Sequence, residues 1–298
     1  MAKHKISPLL VIVGETASGK STLALQLAQR YYGEIICADS WTVRREANIG
    51  SAKPTAAEQA LVPHHLLDVA GPNEDFTAAV FKRLAERAIN DIANRGKLPI
   101  MVGGTGLYID SVLFDYGFLP AGDRQERQKL NAMTNSELIN IINNRGLDLT
   151  GIDTGNKRRL IRLIETNGQK PTKKPIRPNT LVIGIRVDKQ ELEQKINDRV
   201  DKMIKDGLEG ETRALVSKYG WDCEALKGVG YAQWRGYFDG QDTLDMTRQK
   251  IIKATLDLAK RQRTWFKRNK GIQWITTPVN HKHIDEMITT NLDSFIHY

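Results

Sequence analysis

Short, unbroken apolar runs alternate with helix-period stretches along the first hundred residues. Leu9-Leu10-Val11-Ile12-Val13 is apolar at every position and ends at Gly14, the pattern of a strand buried on both faces of a parallel sheet. Thr22 to Arg30 then puts Leu23, Ala24, Leu27 and Ala28 at helical spacing. Glu34 to Ala38 predicts a second strand, which runs into Asp39. Phe76 to Arg95 predicts an amphipathic helix that stops at Gly96, and Leu98 to Val102 a third strand running into Gly103-Gly104. Strand, helix, strand, helix, strand implies a parallel sheet with crossover helices.

The pattern changes near Asp115. Residues 116–178 hold two short helix-like stretches, Ser136–Asn144 and Asn156–Thr166, then the Lys/Pro-rich Gln169–Pro178. A strand pattern returns at Leu181–Val187. Helices are expected at 189–205, 208–218 and 244–268, and a last strand at Ile272–Ile275. There is no internal repeat. Residues 1–115 and 179–298 are therefore read as one α/β core, and 116–178 as a small helical insertion.

The 298 residues are 40% hydrophobic and 27% charged, ordinary for a core-forming chain. No run approaches the about 20 apolar residues of a membrane span, and Leu9–Val13 is too short for a signal-peptide core. Cys37 and Cys223 lie far apart, which argues against a disulfide scaffold or zinc finger and suggests a reducing, cytoplasmic setting. His64-His65 has no further ligand at metal spacing and is read as structural. The formal net charge of +9 is unevenly placed. Residues 156–177 carry +7 and residues 248–270 carry +8, so the rest of the chain is at −6. Such patches are either solvated helix faces or the electrostatic footprint of a nucleic-acid partner, and two dense, acid-poor windows favour the footprint.

Gly14-Glu15-Thr16-Ala17-Ser18-Gly19-Lys20-Ser21 fits the phosphate-loop pattern G-x-x-x-x-G-K-[ST], between a strand and a helix as the pattern requires. Gly14, Thr16, Ala17, Ser18, Gly19, Lys20 and Ser21 are the candidate diphosphate-binding residues. Backbone N–H groups and the helix dipole face phosphate oxygens, Lys20 adds a charge, and Ser21 is a candidate Mg²⁺ ligand. The predicted fold is thus α/β, a P-loop NTPase-like parallel sheet flanked by helices with a small helical insertion domain. A nucleotide hydrolase would pair this loop with a strand ending in a Mg²⁺-holding Asp. The third strand ends instead in Gly103-Gly104-Thr105-Gly106, and Asp188 after Leu181–Val187 is a weak substitute. Ligands of open α/β sheets sit beyond the carboxyl ends of the strands. That places the loop, Asp39 and Thr105 in one cleft, with Asp39 a metal ligand or a general base.

These residues resemble a family, the tRNA dimethylallyltransferases. The ordered set is Thr16-Ala17-Ser18-Gly19-Lys20-Ser21, Ala38-Asp39-Ser40, Lys53-Pro54-Thr55, Pro63-His64-His65-Leu66, Gly103-Gly104-Thr105-Gly106-Leu107-Tyr108, Gly228-Val229-Gly230-Tyr231 and Lys260-Arg261-Gln262-x-Thr264-Trp265-Phe266. The resemblance runs from about residue 9 to 275. It implies that the loop holds dimethylallyl diphosphate, and that N6 of an adenosine next to the anticodon of tRNA attacks the allylic carbon. It implies Asp39 as the base, Thr105 as a partner of the reacting amine, Arg199 near the diphosphate, and Mg²⁺ as cofactor. It implies tRNA contacts from Ser40, Trp41 and Thr42, from Arg127, Arg158, Arg159 and Arg162 on the insertion, and from Lys260, Arg261, Gln262, Arg263 and Thr264. Trp265 is read as core, because Ile251, Leu258 and Trp265 are seven apart. The expected enzyme is a cytoplasmic monomer that meets no membrane.

The chain departs from the family pattern after Asp39. Thr42 stands for the usual Gln, Arg44 for Tyr and Glu46 for Gly, and the insertion is shorter than usual. Rival readings are an adenylate prenyltransferase, a P-loop small-molecule kinase, and an inactive RNA-binding protein. The two basic windows favour tRNA over a free nucleotide.

Overall fold

A computed structural model of the chain describes residues 6–120 and 122–292. The expected domain spans include 1–5, 121 and 293–298, which lie outside the described residues. The elements run β1 (Leu9–Gly14), α1 (Lys20–Arg30), β2 (Gly33–Cys37), α2 (Ala56–Leu61), β3 (His64–His65), α3 (Ala78–Asn94), β4 (Leu98–Gly103) and α4 (Gly106–Leu113). Next come α5 (Arg124–Ala132), α6 (Asn135–Asn144), α7 (Lys157–Glu165), β5 (Thr180–Arg186), α8 (Lys189–Lys205) and α9 (Leu208–Tyr219). After two 3₁₀ turns follow α10 (Arg235–Phe238), α11 (Leu244–Phe266), β6 (Gln273–Thr276) and α12 (His281–Asn291).

The six strands form one parallel sheet in the order β3-β2-β4-β1-β5-β6. Side chains alternate across it. Leu10, Ile12, Ile35, Ile100, Leu181 and Ile183 share one face and pack with Leu23 and Leu27 of α1 and Ile284 and Ile288 of α12. Both faces are covered, so Leu9 to Val13 are all 0% exposed, and the run carries no polar alternation. A second core gathers α8, α9 and α11 around Tyr231 and Trp234.

Contacts divide the chain into two units, Met1–Leu113 with Arg177–Tyr298, and Phe114–Ile176. The second unit holds α5, α6 and α7 around Leu138, Ile142, Leu160, Ile161 and Ile164. Asp123 caps α5 by accepting from the Gln125 and Glu126 N–H groups. This helix buries only Leu130, so no apolar period announces it.

Glu34 is a buried carboxylate with three partners. It accepts from Arg95 Nη2 and Lys97 Nζ at 2.7 Å and meets His65 Nε2 at 2.7 Å. The Arg95 hydrogen bonds, with help from Lys97 and His65, hold it well below the usual carboxylate range. A carboxylate whose folded pKa is depressed stabilises the fold above its unfolded value and loses that contribution as pH falls. Urea unfolding at pH 6 and pH 3.5 will therefore show a larger acid loss in the natural chain than in Glu34→Gln. Equal losses would mean the group contributes nothing.

Candidate active site

The phosphate loop joins β1 to α1. Gly19 caps the helix at φ +88°, a left-handed conformation that Cβ-bearing residues resist. Lys20 Nζ donates to the Glu15 carbonyl at 2.8 Å, curling the side chain back along the loop. Burial, then the neighbouring Arg199 cation, brings the Lys20 ammonium down to about 8, against the pull of Asp39 and Glu15. Arg199 extends from α8 and donates to Thr16 Oγ1 at 3.2 Å. Burial lowers its pKa, again opposed by Asp39. Two cations are thus held beside a row of loop amides, with Asp39 near enough to act on both.

Asp39 follows β2. Its Oδ1 accepts from the Trp41 N–H at 2.9 Å, closing a tight turn. Thr105, just past β4, accepts from the Ser40 N–H at 2.9 Å and donates to Ser40 Oγ at 3.3 Å. The hydroxyl expected on the reacting amine is engaged in pinning the turn that carries Asp39. The two strand ends can meet because residue 103 is glycine. A Cβ there would lie 2.0 Å from the Ala38 carbonyl oxygen, far inside contact distance. Asp188, the weaker candidate, caps α8 by accepting from the Gln190 N–H at 2.8 Å.

The resulting cleft is bounded by Thr16, Lys20, Ser21, Asp39, Thr42 and Arg199 on its polar side. Met203, Val229, Ile251 and Leu258 line it on the apolar side. It holds a cavity of about 130 Å³, the scale that takes a small hydrocarbon. One wall is the loop from Gly50 to Pro54. Glu211 of α9 fixes that loop by accepting from the Asn48, Ile49 and Gly50 N–H groups at 2.9–3.1 Å and from Tyr231 Oη at 2.6 Å. Three consecutive amides on one carboxylate form a charge-assisted nest. Glu211→Gln is expected to cost about 2 kcal/mol in urea unfolding and to raise KM for the ligand of this cleft. A change below about 0.5 kcal/mol would show the nest to be dispensable. Nothing in the sequence marks Glu211 beyond its helix, since the amides it binds lie some 160 residues earlier.

The basic helix α11 reaches the site directly. Gln262 is buried, accepts from the Thr16 N–H at 2.7 Å and donates to the Gly104 carbonyl at 3.2 Å. The sequence grouped Gln262 with the tRNA contacts. In the structure both ends of its amide tie the phosphate loop to the β4 turn. Arg263 pairs with Glu15 through two guanidinium nitrogens, Nη2 at 2.9 Å. Lys260, Arg261 and Thr264 are exposed. Trp265 is half-buried, donates Nε1–H to Asp110 at 2.9 Å and packs its edge on Gly106. In the second unit Arg158 and Arg159 are exposed. Arg127 and Arg162 both donate to Glu165, and Arg162 also to the Leu119 and Pro120 carbonyls.

The departures after Asp39 have physical readings. Thr42 is buried, and its hydroxyl sits 3.5 Å from the Asp39 carbonyl. Arg44 is buried and donates to the Gly71, Pro72 and Glu74 carbonyls at 2.8–3.3 Å. Glu46 sits at φ +64°, where glycine would be unstrained, and its carboxylate accepts from Lys218 and Tyr219. Among the described residues no three His, Cys, Asp or Glu converge as a metal cage. The hydroxyl of Ser21 and the carboxylate of Asp39 are hard oxygen donors on one cleft. That sparse set suits Mg²⁺ shared with substrate phosphates, not zinc.

The sequence pattern of the IPP transferase family matches residues 42–269. A tRNA dimethylallyltransferase 1 of Citrifermentans bemidjiense is 41% identical over 295 residues, covering 93% of this chain and 94% of that protein. The tRNA dimethylallyltransferase of Bacillus subtilis is 36% identical over 302 residues, covering 96% of each. The crystal structure of the full-length tRNA isopentenylpyrophosphate transferase of Bacillus halodurans superposes with a TM-score of 0.75 at 34% identity, covering 97% of this chain and 98% of that one. A eukaryotic dimethylallyltransferase acting on tRNA, 24% identical, shares the fold with a TM-score of 0.78 and covers 96% of this chain and 80% of its own. Matched over residues 42–269 and 36–41% identical to these bacterial relatives over more than nine-tenths of its length, the chain belongs to the IPP transferase family.

Proposed function

We infer that this chain transfers the dimethylallyl group of dimethylallyl diphosphate to the exocyclic N6 of an adenosine in tRNA, next to the anticodon (position 37), and releases diphosphate. The observation that carries the reading is the meeting of the phosphate loop, Asp39 and the Thr105-pinned turn on one cleft with an apolar wall. The diphosphate lies on the loop amides, Lys20 and Arg199, where leaving-group charge is met by fixed donors. The dimethylallyl chain lies along Met203, Val229, Ile251 and Leu258. The adenosine leaves its stack to enter the cleft, as chemistry on a base edge requires.

The N6 lone pair forms a bond to the allylic C1, and the C1–O bond to diphosphate breaks. The N6 proton passes to the Asp39 carboxylate, and the bond's electrons leave with the diphosphate. The turn held by Thr105 and Ser40 sets the direction from which Asp39 approaches, a contribution of orientation. Ser21 would hold a Mg²⁺ ion beside the diphosphate. When bound, it neutralises charge on the leaving group. Exposed Arg158, Arg159, Lys260 and Arg261 grip the RNA backbone. The enzyme is proposed to act as a monomer in the cytoplasm.

The test is direct. The protein, Mg²⁺, dimethylallyl diphosphate and unmodified tRNA are incubated, the RNA is digested, and prenylated adenosine is sought by mass. Product from tRNA is expected. Product from AMP instead would move the activity to free nucleotides, and consumption of ATP without prenyl product would make the chain a kinase.

A further inference from the structure

The phosphate loop carries a negative charge of its own. Glu15 occupies a position where the loop pattern imposes no residue, and its side chain is only 10% exposed. Its carbonyl holds Lys20 Nζ at 2.8 Å and the Ser18 N–H at 3.2 Å, so the residue is part of the cradle. A carboxylate there repels any phosphate the cradle receives. In a partly buried setting that repulsion is poorly screened. Arg263 answers it from α11, some 250 residues later, gripping both carboxylate oxygens. The next residue back, Gln262, binds the Thr16 N–H of the same loop.

We propose that Arg263 is a positioning residue for the diphosphate, acting through Glu15, rather than an RNA contact. The pair cancels the loop's charge and ties its first half to α11, so the loop amides and Lys20 meet the diphosphate without a competing anion. The guanidinium is spent in a fork on Glu15, which leaves the exposed Lys260 and Arg261 beside it to meet RNA. This rests on reading the loop as a diphosphate site, as proposed above.

The experiment uses inorganic diphosphate with Mg²⁺ as the probe and titration calorimetry on the full chain. Binding of unmodified tRNA is measured in parallel at several salt concentrations. Arg263→Gln is expected to weaken diphosphate about tenfold, as an uncancelled like charge in a partly buried site requires. Arg263→Lys should keep most of the affinity, which separates loss of charge from loss of fold. The double change Glu15→Gln with Arg263→Gln should recover affinity to within about threefold, because the charge to be cancelled is gone. The tRNA affinity and its salt slope should stay put throughout. Unchanged diphosphate binding in Arg263→Gln overturns the proposal. So does failure of the Glu15 change to restore it, or a tRNA salt slope lowered by about one with diphosphate unaffected. If the unaltered chain binds no diphosphate, the reading of the loop falls and takes this inference with it. Binding that is indifferent to the pair sinks the inference alone.

Discussion

Asp39→Asn should lower kcat for prenyl transfer to tRNA about 1000-fold, within the range a positioned general base contributes. KM for either substrate should move by less than about threefold. Asparagine is the informative replacement, because its amide oxygen still accepts the Trp41 N–H that Asp39 Oδ1 accepts at 2.9 Å. The turn therefore survives and only the capacity to take a proton is lost. Asp39→Ala removes both, and should raise KM for tRNA as well, since Trp41 and Thr42 line the cleft beside it. Single-turnover rates with saturating substrates would isolate the chemical step. Retention of more than a tenth of the activity in Asp39→Asn would mean another group accepts the N6 proton.

Lys20→Met should have effects of opposite sign on binding and on stability. The ammonium donates to a backbone carbonyl and faces a second cation, Arg199. Its pKa, brought from 10.5 to about 8, means that at neutral pH the folded lysine is charged against its surroundings. That cost is present below about pH 8 and vanishes above 10.5. Methionine fills the same space without it, so Tm at pH 7 should rise by the equivalent of about 1 kcal/mol, after discounting for solvent. KM for dimethylallyl diphosphate should rise about 100-fold, the scale of losing a charge-assisted contact to a phosphate. A fall in Tm would show that the lysine packs as part of the fold. An unchanged KM would remove it from the diphosphate site.

What could be read from the sequence follows from the physics of each element. Leu9–Gly14, Leu98–Gly103 and residues 181–185 are buried on both faces, so composition alone marks them. Helix α11 shows its period over 23 residues. By contrast β3 is two residues, His64–His65, and exists only because β2 offers an edge. Helix α12 was not foreseen, because Ile284, Met287 and Ile288 give too brief a period among polar residues. At the site, the loop and the strand-end positions of Asp39 and Thr105 follow from local pattern. Gln262 and Glu211 do not. Each acts on backbone far away in the chain, and no spacing in a sequence encodes that. A glutamine at helical spacing with Ala259 and Phe266, on the helix's apolar side, is the available hint.

The strand order has a consequence for how the chain is made. Strand β1 is flanked by β4 and β5, and β5 begins at Thr180. While the ribosome is still translating the residues between, one side of β1 has no partner strand, and its unpaired N–H and C=O groups are open to wrong pairing. The Phe114–Ile176 unit emerges during that interval and carries its own core. The diphosphate cradle is made early and waits long. Its Thr16 amide and Glu15 charge find their partners only when Gln262 and Arg263 have been synthesised. A nascent or truncated chain that stops short of α11 would expose a complete phosphate-loop motif that still lacks two of its fixings.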